Sequence, residues 1–117
     1  ILEAPFASDI IGIDDDRYVF TDEWYPLPVL HIYSDALYAR LGEITTYGMN
    51  VRLMKSGRPM YVNKHISGVG HFGLTDMSLA TPILTYLLDG GLNTRPAPEA
   101  LLELNGYVLE FLNAYNK

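Results

Sequence analysis

Met60-Tyr61-Val62-Asn63-Lys64-His65-Ile66, followed at once by Ser67-Gly68-Val69-Gly70-His71-Phe72-Gly73-Leu74-Thr75-Asp76, is the stretch on which the reading of this chain turns. Its first part is short and rich in β-formers, and its second part sets Gly68, Gly70 and Gly73 around one histidine. The pair therefore reads as a strand ending in a glycine-rich turn. Glycine tolerates left-handed or strained backbone at little steric cost, which lets such a loop project an imidazole out of a sheet. His71 is the candidate catalytic base.

Upstream lies a second strand of the same character. Pro26-Leu27-Pro28 stiffens the entry to Val29-Leu30-His31-Ile32-Tyr33, a nearly continuous apolar run closed by Ser34-Asp35, as expected of a strand buried on both faces of a parallel sheet. Residues just past the carboxyl end of such a strand line the crevice where open α/β sheets do their chemistry, so Asp35 is placed where chemistry is done. As a preferred capping residue it also suits the N-cap of the segment starting near Ala36.

Between the two strands, Leu37 to Lys55 carries Leu41, Ile44, Tyr47 and Val51 near helical spacing. Gly42, Gly48 and adjacent threonines mark it as a broken helix. A strand, a helix and a strand in succession make a βαβ unit with parallel strands. Ile1-Leu2-Glu3-Ala4-Pro5, opening without Met, reads as the last residues of a buried strand leaving its sheet and as the start of a cut piece.

Residues 6–25 show no sustained period, and Asp14-Asp15-Asp16 reads as a solvated acidic loop. The three lack the alternating ligand spacing and glycine of a calcium loop. Trp24 and Tyr25 read as a packed corner before the strand. Downstream, Met77 to Leu88 is expected to be one helix with Pro82 in its first turns and Gly90-Gly91 as its stop. Asn93 to Pro98 reads as a polar linker and Glu99 to Tyr115 as an amphipathic terminal helix.

The order of these pieces, with Gly68-Val69-Gly70-His71-Phe72-Gly73-Leu74-Thr75-Asp76 and Pro28-Val29-Leu30-His31-Ile32-Tyr33-Ser34-Asp35, resembles the C-terminal portion of an α/β-hydrolase. Within that superfamily it is similar to the platelet-activating-factor acetylhydrolase and dienelactone-hydrolase group. The resemblance implies an α/β fold in which residues 1–117 form the C-terminal portion of one domain. It also implies a serine ester hydrolase acting on a small ester or lipid-like substrate without a cofactor, with His71 as the triad histidine. For the acid it leaves two positions open: Asp35, as in dienelactone-hydrolase-like members, and Glu3, whose Leu2-Glu3-Ala4 context matches the acetylhydrolase-like Leu-Asp-Ala with Glu for Asp. No Gly-x-Ser-x-Gly nucleophile elbow occurs in the chain, so the resemblance puts the serine upstream and leaves this chain inactive alone.

Composition narrows the classes. Eight basic against fourteen acidic residues give a net charge of −6, which repels phosphate backbones and argues against nucleic-acid binding. The absence of cysteine removes thiolate nucleophiles and disulfides. No apolar run approaches the roughly 20 residues that span a bilayer, and no signal peptide is apparent. The expectation is a soluble protein, cytoplasmic or secreted.

His31, inside a strand, reads as a hydrogen-bonded core residue. With three histidines on different elements no metal centre is expected. A second reading makes the chain a non-catalytic α/β module, since a parallel sheet cut at one edge exposes backbone groups that pair with another copy. On that ground a homo-oligomer is expected.

Overall fold

The computed structural model of the chain describes residues 1–116. Its centre is a parallel pair, β3 (Val29–Ser34) and β4 (Tyr61–Ile66), in unbroken register from Val29 opposite Tyr61 to Ser34 opposite Ile66. All six residues of β3 are buried, which explains its near-continuous apolar character. Leu2 forms a parallel bridge to Ile32. The Glu3 amide donates to the Ile32 carbonyl (3.1 Å) and the Ile32 amide to the Ile1 carbonyl (3.1 Å), so residues 1–3 extend the sheet on the far side of β3.

Alternation along β3 divides its side chains between two apolar layers. Leu30 and Ile32 pack with Ile66, Val69, Leu74 and Ala100 beneath the terminal helix, here α5 (Ala97–Tyr115), whose Leu104, Val108 and Phe111 complete that side. Val29 packs with Phe6, Met49, Leu53 and Tyr61 against α2 (Gly48–Lys55). Each fully buried apolar side chain contributes about 2 kcal/mol relative to exposure, and both layers draw on β3. The result is a mixed fold of helices with small parallel and antiparallel sheets, compatible with the α/β class.

Asn50 of α2 holds the polar side of the second layer together. Its amide nitrogen lies 3.0 Å from the Ala4 carbonyl, 3.3 Å from His31 Nε2 and 3.3 Å from the Tyr33 hydroxyl, while its oxygen accepts the Phe6 amide (3.2 Å). His31 is thus a buried, hydrogen-bonded core residue. Burial, and then the charge of the Ile1 amino group, push its pKa down to about 4. Burial raises that of Tyr33 to about 12.

Several expectations are corrected. Residues 6–25 hold an antiparallel hairpin, β1 (Ile10–Asp14) with β2 (Arg17–Phe20). Asp15 and Asp16 form its two-residue turn, both at positive φ (44° and 60°), the geometry that favours hairpin closure. Of the acidic triplet, Asp14 ends β1 and Asp15-Asp16 make the turn, and all three are exposed, as a solvated acidic loop requires.

Between β3 and β4 the helical segment is broken, as its glycines and threonines predict: α1 (Asp35–Tyr38), a 3₁₀ turn at Thr45–Tyr47, then α2. The expected helix over 77–88 is two helices, α3 (Met77–Ala80) and α4 (Pro82–Leu88), with Pro82 opening the second where its missing amide costs no hydrogen bond. Trp24 is stacked on Tyr61, with the guanidinium groups of Arg52 and Arg58 over its ring system at 4.4 and 4.2 Å.

The molecule is a slab of 42 × 40 × 19 Å with a radius of gyration of 15.4 Å. About 13.4 Å is typical of a compact chain of this length. A thin slab cannot cover all its apolar residues: Ile83, Leu87, Leu102 and Leu109 are each at least 60% exposed. Among the described residues, no helix is long and apolar enough to cross a membrane.

Candidate functional site

Parallel pairing puts the carboxyl ends of all three strand segments at one end of the sheet, and the candidate residues sit there: Glu3 after the edge segment, Asp35 after β3, and His65 and the 67–73 loop at the end of β4. The structure brings Glu3, rather than Asp35, to His71. His71 Nδ1 hydrogen-bonds to Glu3 Oε2. The other oxygen, Oε1, accepts the Ser34 amide at 2.6 Å.

Glu3 is held on every polar group. Its amide is bonded to Ile32, its carbonyl accepts the Tyr47 hydroxyl at 2.7 Å, and both carboxylate oxygens are engaged. Its φ of 49° lies in the left-handed region, which costs a non-glycine residue about 1–3 kcal/mol and persists only where surrounding contacts over-determine it. Burial, and then the nearby Glu3 charge, raise the Tyr47 pKa, so this hydroxyl remains a donor.

The two partners differ sharply in access. The Glu3 side chain is 2% exposed and that of His71 60%. A buried carboxylate on Nδ1 fixes the proton there and leaves Nε2 as the open, basic nitrogen. The imidazole borders a cleft of about 220 Å³ lined by Ala36, Leu37, Arg40, Ile44 and Tyr47 along with Glu3. Arg40 reaches Glu43 at 3.8 Å on the exposed rim.

Asp35 does not cap the helix it begins. Ser34 occupies the N-cap position, and the Asp35 carboxylate turns to the β4 end of the sheet. Oδ1 lies 2.6 Å from His65 Nε2, and Oδ2 accepts the Gly68 amide at 2.7 Å. The Asp35 amide donates to the Val69 carbonyl (3.0 Å), and the His65 ring stacks on Tyr38 with centroids 4.2 Å apart and planes 7° from parallel. Two carboxylate–histidine pairs thus stand side by side, Glu3 with His71 and Asp35 with His65. The register explains the second pair: Tyr33 lies opposite His65, so Asp35, two residues further on, overhangs it.

The His71 loop is built differently from its sequence reading. Of its glycines only Gly68 has positive φ (77°). Gly70 and Gly73 are needed for space: a Cβ at 70 would overlap the Asp89 carboxylate, and one at 73 the Asn93 side-chain oxygen. These two side chains, which the sequence did not single out, grip the loop backbone. Asp89 Oδ1 accepts the Phe72 amide (2.9 Å) and Oδ2 the Gly73 amide (2.9 Å), while Asn93 Oδ1 accepts the Gly70 amide (2.7 Å) and its nitrogen donates to Asp89 (2.7 Å).

Among the described residues, no cluster of three or more histidines and carboxylates has metal-binding geometry. In comparisons with known proteins, no family model, no curated protein and no solved structure matches the chain.

Proposed function

We propose that this chain supplies the general base and its orienting acid to a serine ester hydrolase of the α/β-hydrolase type, with His71 as base and Glu3 as acid. The observation that carries the reading is the buried Glu3 carboxylate on Nδ1 of an exposed imidazole that lines an open cleft. That arrangement suits a group that takes a proton from a hydroxyl at Nε2 and returns it to the leaving alkoxide, while the carboxylate stabilises the imidazolium formed between.

None of Ser8, Ser34, Ser56, Ser67 and Ser78 is hydrogen-bonded to His71, and none lies in a Gly-x-Ser-x-Gly elbow. The proposal therefore assigns the nucleophile to polypeptide outside these 117 residues. The apolar cleft wall of Ala36, Leu37 and Ile44 fits a small ester or lipid-like acyl group.

Assay of p-nitrophenyl acetate hydrolysis, by the 117-residue chain and by a longer polypeptide that carries the preceding sequence, tests the reading. The expected outcome is no turnover by the chain alone and His71-dependent turnover by the longer protein. Turnover that survives His71→Ala sinks the catalytic assignment.

A second reading, association with another copy, draws on a specific feature. A groove of about 500 Å³ runs from Leu2 of the edge segment past Leu74 and Leu79 to Leu101 and Leu102 of α5, and the outer side of residues 1–3 has no strand beside it among the described residues. Exposed apolar grooves beside unpaired strand edges are where chains associate. This reading concerns assembly and is compatible with the first.

A further inference from the structure

We propose that Asp89 and Asn93 are positioning residues for His71, and that the segment Asp89 to Arg95 is the cradle that sets which imidazole nitrogen faces the cleft. This rests on the reading of His71 as a base. The segment embraces the loop at both ends. Asp89 accepts the Phe72 and Gly73 amides on the far side of His71, Asn93 accepts the Gly70 amide on the near side, and the Thr94 and Arg95 amides both donate to the Gly68 carbonyl, at 3.0 and 3.1 Å. The amides on either side of His71 are therefore each bonded to a side chain of this one segment.

The segment is itself shaped for the purpose. The Asp89 amide closes the last turn of α4 onto Thr85 (3.0 Å), and Gly90 and Gly91, at φ of 61° and 83°, reverse the chain so that Asn93 returns beside Asp89. Asp89 is buried, and such a carboxylate is stabilised by the three N–H groups converging on it.

His71 itself is exposed, and among the described residues its ring has one side-chain hydrogen bond, to Glu3. Aim must therefore come from the backbone beneath it. Because Glu3 is itself fixed on every polar group, the position of the 70–73 backbone sets the distance between Nδ1 and its carboxylate.

The test reads the tautomer of His71 in the 117-residue chain by nitrogen-15 NMR of labelled histidine, beside the thermal midpoint. Free neutral imidazole in water favours the proton on Nε2, whereas the Glu3 bond holds it on Nδ1, so loss of aim registers as a tautomer change. Asp89→Asn and Asn93→Ala are expected to lower the Nδ1-protonated fraction of His71 at least about twofold. Leu53→Ala, which destabilises the opposite layer, should lower the midpoint and leave that fraction unchanged.

An unchanged fraction in both loop variants, or an equal change in Leu53→Ala, overturns the proposal. Should Asp89→Asn fail to fold, Asn93→Ala, which removes the acceptor of the Gly70 amide and a donor to Asp89 from a half-buried site, decides alone. Failure of the base reading would register separately, as ester hydrolysis insensitive to His71→Ala with the tautomer results intact.

Discussion

Glu3 and His71, 68 residues apart in sequence, are joined by a hydrogen bond from the imidazole Nδ1 to the buried carboxylate, while Asp35 is committed to His65 and the Gly68 amide. This division of the two carboxylates makes their substitutions separable. In a polypeptide that carries the nucleophile, Glu3→Gln should lower kcat by about 10³- to 10⁴-fold, because a neutral amide neither holds the tautomer nor stabilises the imidazolium. Asp35→Asn should lower kcat by less than about tenfold and act mainly on stability. Steady-state kinetics of the two variants decide between the acids; the reverse order of losses would return the role to Asp35.

The glycines of the loop give a second prediction. Gly70→Ala and Gly73→Ala each place a methyl group against the Asp89 or Asn93 side chain, and overpacking of this kind costs about 1–3 kcal/mol. Gly106, exposed on α5 with open space where a methyl group would sit beyond the helix's own backbone, should behave oppositely. Gly106→Ala should stabilise by about 0.5–1 kcal/mol through helix propensity alone. Urea unfolding of the three variants checks sign and size together.

What could be read from sequence follows from how local the cause is. The β3 run was legible because burial on both faces leaves six buried positions in a row, and β4 because a turn with glycines closes it. The hairpin was not, because its exposed Ile11 and Ile13 obscure any inward–outward alternation and its turn uses Asp15-Asp16 in place of the familiar Asn-Gly.

At the site, His71 announced itself by its glycines, although two of them serve packing rather than backbone conformation. The choice between Glu3 and Asp35 was beyond local reading, because it depends on which strand residues 1–3 lie beside and on the β3–β4 register. Asp89 and Asn93 gave only the signal of a turn, since an acceptor for another loop's amides looks like any polar residue before and after Gly-Gly.

Association gives a third prediction. If the groove beside the sheet edge is a contact surface between copies, sedimentation velocity should show a dimer or larger species that dissociates on dilution. Leu79→Lys with Leu102→Lys, both exposed in the groove, should shift it to monomer with unchanged circular dichroism. A monomer at all concentrations removes the reading.

His31 gives the last prediction, through the pH dependence of stability. Its folded-state pKa is depressed to about 4 from an ordinary value of 6.5. The unfolded chain therefore takes up a proton that the folded chain refuses. Above about pH 6.5 both states are neutral at this position and no penalty exists. As pH falls below that value, the unfolded state is favoured progressively until the folded histidine also titrates near pH 4. Linkage over this window gives a loss of about 2 kcal/mol by pH 5. Replacement by Gln keeps a polar partner for Asn50 but cannot titrate, so His31→Gln should lose stability at pH 7 and then show a shallower decline to pH 5 than the parent chain. Denaturant unfolding at pH 7, 6 and 5 measures both slopes; parallel slopes would mean that protonation elsewhere governs acid unfolding.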